Sequence, residues 1–347
     1  MQLDIKTPKS GRLLKYSQAQ NEAIKQSMSK DESVFVMGED IVGAAGRSEQ
    51  GFSDAWGNSA RWTQGLYDLF GPERVLDTPI SESAFVGAAI GAASVGMRPV
   101  VELMFIDFVG VCMDQILNNA AKTRYMLGGQ LGVPLTLITR IGAGVGWGAQ
   151  HSESIYSLLV HIPGIKVVAP SDAYTAKGLL GSAIMDNDPV VICDHKKLLD
   201  LESFVPEADY ELPIGKARVS RPGSDLTLVG ISHMTNICLQ AAEILEAFGI
   251  DVEVIDLLSL SPIDTDSILK SVSKTGRLVV VDEDNPRCGM ASDIISSVVE
   301  KGFSLLKQSP KMVTAPHTPV PYSASLEDLY VPNPARVVST IKDMLED

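Results

Sequence analysis

Short apolar runs alternate with stretches of helical spacing along most of this chain, and this alternation limits the fold more than any other feature. The apolar runs span 33–37, 98–104, 133–139, 165–169, 189–193, 226–230, 252–255 and 278–281. The helical stretches span 16–30, 82–95, 108–126, 172–185, 234–248, 264–272 and 290–301. Strands that alternate with helices form mostly parallel sheets with helices on both faces. The sequence therefore predicts an α/β protein with doubly wound sheets.

The chain is long enough for two such domains. Its 347 residues exceed the usual domain of roughly 100 to 200 residues, and 45% of them are apolar. The stretch 201–222 is richer in charge and proline and lacks periodicity, which is typical of an interdomain connection. We therefore expect an N-terminal tail at 1–15, a first domain at 16–200, a linker at 201–222 and a second domain at 223–347.

The charge balance excludes several classes of partner. A net charge of −14, from 43 acidic and 29 basic residues, argues against binding to nucleic acid or to an anionic membrane surface, because both need concentrated Lys and Arg. No run reaches the roughly 18 to 20 apolar residues of a membrane span, and the polar start does not resemble a secretory signal. The four cysteines are far apart and form no CxxC pair. We expect a cytoplasmic protein.

One long loop, 41–61, is rich in Gly, Ser and Asn and carries Trp56. Long loops inside compact domains are usually functional or disordered. Two interpretations stay open: a mobile surface insertion, or a loop that orders at a subunit interface or at the mouth of an active site.

The segment 77–91 (DTPISESAFVGAAIG) places Glu82 at the first turn of a predicted helix. The small side chains of that helix leave room for the close approach of another surface. A carboxylate at a helix start is favoured by the helix dipole, so Glu82 could serve only to stabilise the first turn. The spacing to Gly87, Ala88 and Gly91 favours a functional carboxylate instead, because it resembles the pyrimidine-side motif of thiamine-diphosphate enzymes.

His151 ends the Gly-rich run 142–149 (GAGVGWGA), which follows an apolar strand. Ligands of open α/β sheets bind at the carboxyl ends of the strands, and histidine is well matched to proton transfer near neutral pH. The sequence therefore makes His151 a catalytic candidate, with a hydrogen-bonded structural role as the simpler interpretation.

The same run also fits GxGxxG/A after a strand, which is the dinucleotide fingerprint. No acidic residue closes the next strand, so this alternative is poorly supported. Met104 and Phe108 flank the polar turn after another strand and could pack on a flat heterocycle or belong to the core. The other four histidines have no metal-ligand spacing and receive no metal role.

Four segments are specific enough to indicate a family. They are MGEDI at 37–41, GPERVLDTPISE at 71–82, AAKTRYM at 120–126, and QHSES followed by HIPGIKVVAPS between 150 and 171. The chain resembles the β subunits of the first component of 2-oxo acid dehydrogenase complexes, from about Tyr16 to its end. The resemblance implies a thiamine-diphosphate pyrimidine-binding domain followed by a transketolase C-terminal domain, in an α2β2 heterotetramer.

The resemblance also implies roles for single residues. Glu82 matches the glutamate that hydrogen-bonds the aminopyrimidine ring and favours the tautomer that deprotonates the thiazolium carbon, and His151 matches the active-site histidine. Ile80, Met104 and Phe108 match positions that contact the thiamine ring system.

A structural potassium site is implied at residues that match those of some relatives, namely Leu135, Ala183, Ile184, Asp186 and Asp188. Asp188 departs from the family pattern, in which Asn is frequent. The GDGxxN pattern that holds magnesium for the diphosphate does not occur in this chain. We therefore expect the α subunit to supply the magnesium site and to share the thiamine diphosphate.

Within the family, the chain is most similar to the acetoin-cleaving members, through segments at 102–108, 281–294 and 312–332. This implies cleavage of acetoin to acetaldehyde and transfer of the remaining hydroxyethyl unit to the lipoamide of an acyltransferase component. The same architecture acting on pyruvate or branched-chain 2-oxo acids is the first alternative. A non-enzymatic docking scaffold is the remote one.

Overall fold

The computed structural model describes residues 5–6, 8–43 and 60–346. Most of the loop predicted at 41–61, including Trp56, lies outside these ranges, so neither interpretation of it is tested. No helix within the described ranges is long and apolar enough to cross a bilayer.

The described ranges alternate between strands and helices as the sequence predicts. The strands are β1 (Leu13–Lys15), β2 (Val34–Gly38), β3 (Val75–Asp77), β4 (Arg98–Phe105), β5 (Thr136–Ile141), β6 (Lys166–Val168), β7 (Val190–His195), β8 (Glu202–Phe204), β9 (Arg218–Arg221), β10 (Leu226–Gly230), β11 (Val252–Asp256), β12 (Ser259–Ser261), β13 (Leu278–Asp282) and β14 (Lys311–Thr314). The helices are α1 (Tyr16–Lys30), α2 (Leu66–Phe70), α3 (Glu82–Ser94), α4 (Thr123–Met126), α5 (Ser157–Val160), α6 (Ala173–Met185), α7 (His233–Glu246), α8 (Thr265–Thr275), α9 (Met290–Gly302), α10 (Ala324–Tyr330) and α11 (Pro334–Glu346).

Two large sheets carry the architecture. The first has the strand order β12-β6-β7-β5-β4-β2-β3 and is parallel except for β12. The second has the order β14-β13-β10-β11-β9 and is parallel except for β9. Strands β1 and β8 form a separate antiparallel pair. The interior strands of both large sheets are buried, as expected where helices cover both faces.

Two short edge strands depart from the expected domain division. Strand β12 follows β11 in the chain but pairs with β6 at the edge of the first sheet. Strand β9 lies in the stretch expected to be a linker and pairs with β11 in the second sheet. The exact domain bounds stay a prediction, but the two halves of the chain are joined by backbone hydrogen bonds as well as by packing.

The predicted helix at 108–126 is wrong as a single helix. The structure has a 3-10 segment at Ile106–Cys112, a π-helical segment at Gln115–Ala120 and then α4. All three helix types place apolar residues about three to five positions apart, so periodicity alone does not separate them. Gln115 packs so closely on α3 that a Cβ at Gly87 would lie 3.0 Å from its Oε1 atom.

Arg218 on β9 joins the two domains through buried charges. Its Nη2 atom lies 2.8 Å from Oδ2 of Asp172, which caps α6, and 2.7 Å from Oδ2 of Asp256 at the end of β11. Burial raises the pKa of Asp256, an effect that the Arg218 charge opposes. Removing one partner of such a pair leaves an uncompensated buried charge.

We therefore expect Arg218→Met to lower the free energy of unfolding by about 3 to 5 kcal/mol, measured by urea denaturation. Lys216→Met is the matched control in the same segment, because the Lys216 side chain is 46% exposed and lies 3.8 Å from Asp264. That control should change stability by less than about 1 kcal/mol. Equal effects of the two substitutions would contradict an interdomain role for Arg218.

Candidate active site

Glu82 is the first residue of α3 and is buried, with 8% of its surface exposed. No described residue donates a hydrogen bond to its carboxylate, and the preceding Ser81 makes no side-chain cap. The simpler interpretation, a carboxylate that stabilises the first turn through the helix dipole, stays open, because Glu82 does lie in that first turn. The helix dipole remains favourable for the charge.

Other acidic groups surround Glu82. Burial raises the pKa of Glu39, which follows β2, and the charges of Glu82, Asp40 and Glu102 raise it further. Burial and the charge of Glu82 together raise the pKa of Cys112 to about 12, so this cysteine stays a thiol at neutral pH. The carboxylates of Glu82, Glu39 and Glu102 thus lie near one another at the start of α3, and such a group of acceptors suits a ligand that presents a hydrogen-bond donor.

The three residues expected to contact a flat ring system lie on surfaces that are at least partly open. Ile80, two residues before Glu82, has 83% of its surface exposed. Met104 near the end of β4 and Phe108 just beyond it are half-buried. An apolar side chain as exposed as Ile80 gains free energy when a ligand or a partner covers it.

His151 lies in the turn that follows β5, against two aromatic rings. The centroid of its imidazole is 5.0 Å from that of Phe105 and 5.4 Å from that of Phe108, and both pairs meet edge to face. Trp147 of the same turn contacts Phe105 at 5.4 Å. Phe108, which is expected to contact the cofactor, therefore also contacts the imidazole of His151. The structure thus brings these two predicted site residues together.

Carboxylates hold the backbone of this Gly-rich turn. Glu327 on α10 accepts hydrogen bonds from the N–H groups of Gly144, at 2.6 Å, and Gly146, at 2.9 Å. Glu283, which follows β13, accepts one from Ala143 at 2.6 Å. Asp107 accepts from the N–H groups of Ser152, at 3.2 Å, and Glu153, at 3.3 Å. The turn of the first domain is thus fixed at one end by two carboxylates of the second domain.

These contacts remove the dinucleotide interpretation of the Gly-rich run. A pyrophosphate would need the N–H groups of the turn, and those of Gly144 and Gly146 already donate to Glu327. Glycine is required here for a different reason. Gly142 and Gly144 have φ angles of +97° and +93°, and a Cβ at either would overlap the side chain of His195 or Lys197.

Glu283 stays charged because of its partners. Burial alone would raise the pKa of this carboxyl, but contact with His195, at 2.8 Å, and with the N–H of Ala143 lowers it below its usual value. The N–H of Lys197 donates to Nδ1 of His195, so Nε2 carries the proton that His195 donates to Glu283.

Sequence reasoning missed the groups that hold the turn. Glu283 and Asp107 each follow a strand, which is a signal that could have been used. Lys196 also follows a strand, β7, but nothing in the sequence shows that it contacts this turn, and Glu327 follows no strand. Their contacts with the turn depend on folding across 45 and 183 residues. The same holds for Arg140, buried with Glu102 in a 2.5 Å ion pair beneath the strand ends.

The residues assigned to potassium lie together around the turn before β7. Arg98 donates to the carbonyl oxygens of Ile184, at 3.0 Å, and Asp186, at 2.9 Å, while Lys166 pairs with the Asp186 carboxylate at 2.6 Å. Arg124 pairs with Asp188, and the carbonyl of Leu135 accepts from the N–H of Val190. Ala183 accepts from the N–H of Asp186. The potassium site stays a prediction, because in this structure arginine and lysine side chains and backbone N–H groups bind these oxygens.

Comparison with known proteins gives a consistent result over most of the chain. Residues 13–202 match the family model of the transketolase pyrimidine binding domain, and residues 215–337 match that of the transketolase C-terminal domain. The predicted order of the two domains is therefore confirmed. A solved structure described as a split gene transketolase, inactive beta4 tetramer, shares the fold, with a TM-score of 0.74 and 24% identity over 95% of this chain and 98% of that one.

Several curated proteins are similar at higher identity. The acetoin:2,6-dichlorophenolindophenol oxidoreductase subunit beta of Cupriavidus necator is 52% identical over 96% of this chain and 98% of its own length. The subunit of the same name in Bacillus subtilis is 49% identical over 96% and 98%. A mitochondrial pyruvate dehydrogenase E1 component subunit beta-2 of Oryza sativa is 42% identical over 94% and 84%.

The contacts of the Gly-rich turn predict the effect of Glu327→Ala. The N–H groups of Gly144 and Gly146 lose their acceptor, so we expect their amide protons to exchange with solvent at least tenfold faster, measured by hydrogen exchange and mass spectrometry. Asp328→Ala is the control, because the neighbouring Asp328 is exposed. Unchanged exchange at 144–146 in the Glu327 variant would show that another contact holds the turn.

Proposed function

Since the chain belongs to the family of oxidoreductase β subunits that includes the acetoin:2,6-dichlorophenolindophenol and pyruvate dehydrogenase E1 members, we propose that it is the β subunit of a thiamine-diphosphate-dependent acetoin dehydrogenase. The observation that carries this proposal is the 52% identity with an acetoin oxidoreductase subunit over nearly the full length of both chains. The reaction cleaves acetoin, releases acetaldehyde and passes the remaining two-carbon unit to lipoamide as an acetyl group.

Three features of the described structure support binding of the thiamine ring system. Glu82 offers a buried carboxylate to which no described residue donates a hydrogen bond. It lies at the start of α3, where small residues allow a ligand or another chain to approach closely. Ile80 is open to solvent, and Met104 and Phe108 are partly so, which suits contact with a flat heterocycle. When bound, thiamine diphosphate supplies a carbon nucleophile that attacks the substrate carbonyl. Glu82 would hold a proton at the pyrimidine ring nitrogen.

His151 would act on the substrate side of the site. Its imidazole lies against Phe105 and Phe108, in a turn fixed by Asp107, Glu283 and Glu327. From there it can give a proton to the substrate oxygen or to the lipoyl sulfur, steps in which general acid catalysis contributes about 10² to 10⁴-fold. A rigid turn matters, because a proton donor must lie within hydrogen-bond reach of its acceptor.

The surroundings of His151 support a neutral ketone as substrate. Its nearest rings are those of Phe105 and Phe108, with Trp147 next to them. A 2-oxo acid needs a cation for its carboxylate. Of two described cations near this cluster, Arg140 is buried in an ion pair with Glu102, and the Lys196 ammonium already donates to the carbonyl oxygen of His151. Pyruvate remains the second candidate because of the 42% identity with a pyruvate dehydrogenase β subunit.

The proposal includes partners for the chain. The relatives are named as β subunits, which supports a partner subunit. We propose an α subunit that completes an α2β2 heterotetramer and supplies the magnesium site, and a lipoyl acyltransferase that accepts the two-carbon unit. Potassium at 183–188 and a cytoplasmic location are further parts of the proposal.

One experiment tests the substrate. The chain is co-expressed with its α subunit, and the complex is assayed with acetoin, pyruvate and 2-oxoisovalerate in the presence of thiamine diphosphate, magnesium and a dye acceptor. We expect acetoin to give the highest kcat/KM. Preference for either 2-oxo acid would overturn the substrate, and turnover of none of the three would favour the scaffold alternative.

Glu82→Gln tests the cofactor assignment. The substitution keeps the volume of the side chain but removes the ionisable group, so we expect the complex to assemble and the proton on the thiazolium carbon to exchange far more slowly. Exchange is followed by NMR on the bound cofactor. The exposed Glu243 on α7 provides the control variant Glu243→Gln. Exchange at the wild-type rate in the Glu82 variant would refute the assignment.

His151→Ala tests whether His151 acts in a different step from Glu82. We expect thiazolium proton exchange to stay near normal, because the change lies outside the Glu82 site, while transfer to lipoamide falls by about 10² to 10⁴-fold. Rapid-quench measurement of acetyl-lipoamide gives the second rate. Full-rate transfer by the variant would mean that His151 is structural.

A further inference from the structure

Lys196 is a buried lysine directly beneath the turn that carries His151. It follows β7, and 7% of its surface is exposed. Its Nζ atom donates a hydrogen bond to the carbonyl oxygen of His151 and lies 3.5 Å from Oγ of Ser152. The ammonium therefore contacts the peptide unit that leads from His151 to Ser152.

Lys196 also contacts the aromatic side chains around the imidazole. Its Nζ atom lies 5.6 Å from the ring centroid of Phe105 and 5.1 Å from that of Trp147. A cation held over aromatic rings out of water is stabilised by their quadrupoles. Phe105 in turn contacts the imidazole of His151. The Lys196 ammonium therefore contacts both the backbone of His151 and an aromatic ring that packs on the His151 side chain.

The other groups that hold the turn are acceptors. Asp107, Glu283 and Glu327 bind its N–H groups, so a carbonyl of the turn needs a donor from elsewhere. Among the described residues, Lys196 is the side chain that donates to the His151 carbonyl. Loss of its proton would leave that donor weaker and would remove the cation from the two rings.

We propose that Lys196 is a positioning residue for His151: its ammonium holds the turn in the geometry that transfer to lipoamide requires. The inference rests on the proposed function, because it assigns a role around the same imidazole. Lys196 itself need not touch the substrate, since its contacts are with the backbone of His151 and with the ring of Phe105.

The charge balance at Lys196 gives the proposal a pH signature. Burial lowers the pKa of Lys196 to about 8; Asp107, Glu283 and Glu327 oppose this shift, and Arg140 adds to it. These groups lie on the 3-10 segment at Ile106–Cys112, just after β13, on α10 and on β5, and the turn that packs on the lysine adds the titratable His151. The ammonium is present below pH 8 and is lost as the pH rises above it.

The test uses the αβ complex with its cofactors and lipoyl acceptor, and measures kcat from pH 6.5 to 10, a span chosen around the value of about 8. Wild-type kcat should fall above pH 8. Lys196→Met should lower kcat at neutral pH by about 10²-fold, as expected for a misplaced catalytic group, and should no longer show the alkaline fall. KM and thiazolium proton exchange should change little.

A second variant keeps the test decisive if Lys196→Met does not assemble. Lys196→Arg retains a charge at every accessible pH, so the alkaline fall should move beyond pH 10. Lys301→Met, at an exposed position of α9, should leave the profile unchanged. An alkaline fall that persists in both Lys196 variants, or a kcat for Lys196→Met within twofold of wild type, would overturn the proposal.

The outcome does not depend on the substrate being acetoin. The profiles are recorded with whichever of acetoin, pyruvate or 2-oxoisovalerate the complex turns over. Absence of acetoin turnover would therefore refute the proposed function alone, while the position of the alkaline fall decides the role of Lys196.

Discussion

Backbone N–H groups of the turn at 142–153 are bound by carboxylates, and two of these carboxylates belong to the other domain. A Gly-rich segment has a high entropy cost of ordering, so it keeps one conformation only where its polar groups find fixed partners. Glu283 and Glu327 are buried, and Glu283 is in turn fixed by His195. The position of His151 therefore depends on the docking of the two domains and on the charge state of residues far away in the chain.

Much of the fold could be predicted because its central elements carry strong patterns. Helix α1 and strand β10 have the predicted bounds, since each buries a face or a whole run of apolar residues. The short edge strands β9 and β12 could not be predicted. Each is three or four residues long, and its conformation depends on the strand beside it rather than on its own sequence. Interdomain contacts such as those of Arg218 could not be predicted either, because they also depend on the elements that come to lie beside this residue.

The same distinction holds for the candidate site: residues within a sequence motif could be proposed from the sequence, and the residues that support them from elsewhere in the chain could not. Glu82 and His151 are candidates because a motif surrounds each of them, and the structure places Phe108 beside His151. The role of the supporting residues could not be predicted, because nothing near Glu327 or Lys196 in the sequence shows which turn they contact. The Gly-rich run shows the risk of local reasoning: it fits a dinucleotide motif, yet carboxylates occupy its N–H groups.

The exposed side of α3 explains why one chain would hold only part of the site. Ala84, Ala88 and Gly91 are exposed and small, and Ile80 and Val95 at either end are more than 80% exposed, at 83% and 82%. Small residues let a second backbone approach a helix closely, and large apolar residues gain free energy when they are covered. Glu82 lies at the edge of this face. Under the proposed function, a cofactor bound there would be enclosed only when the α subunit covers α3, so activation by Glu82 and exclusion of water would both depend on assembly.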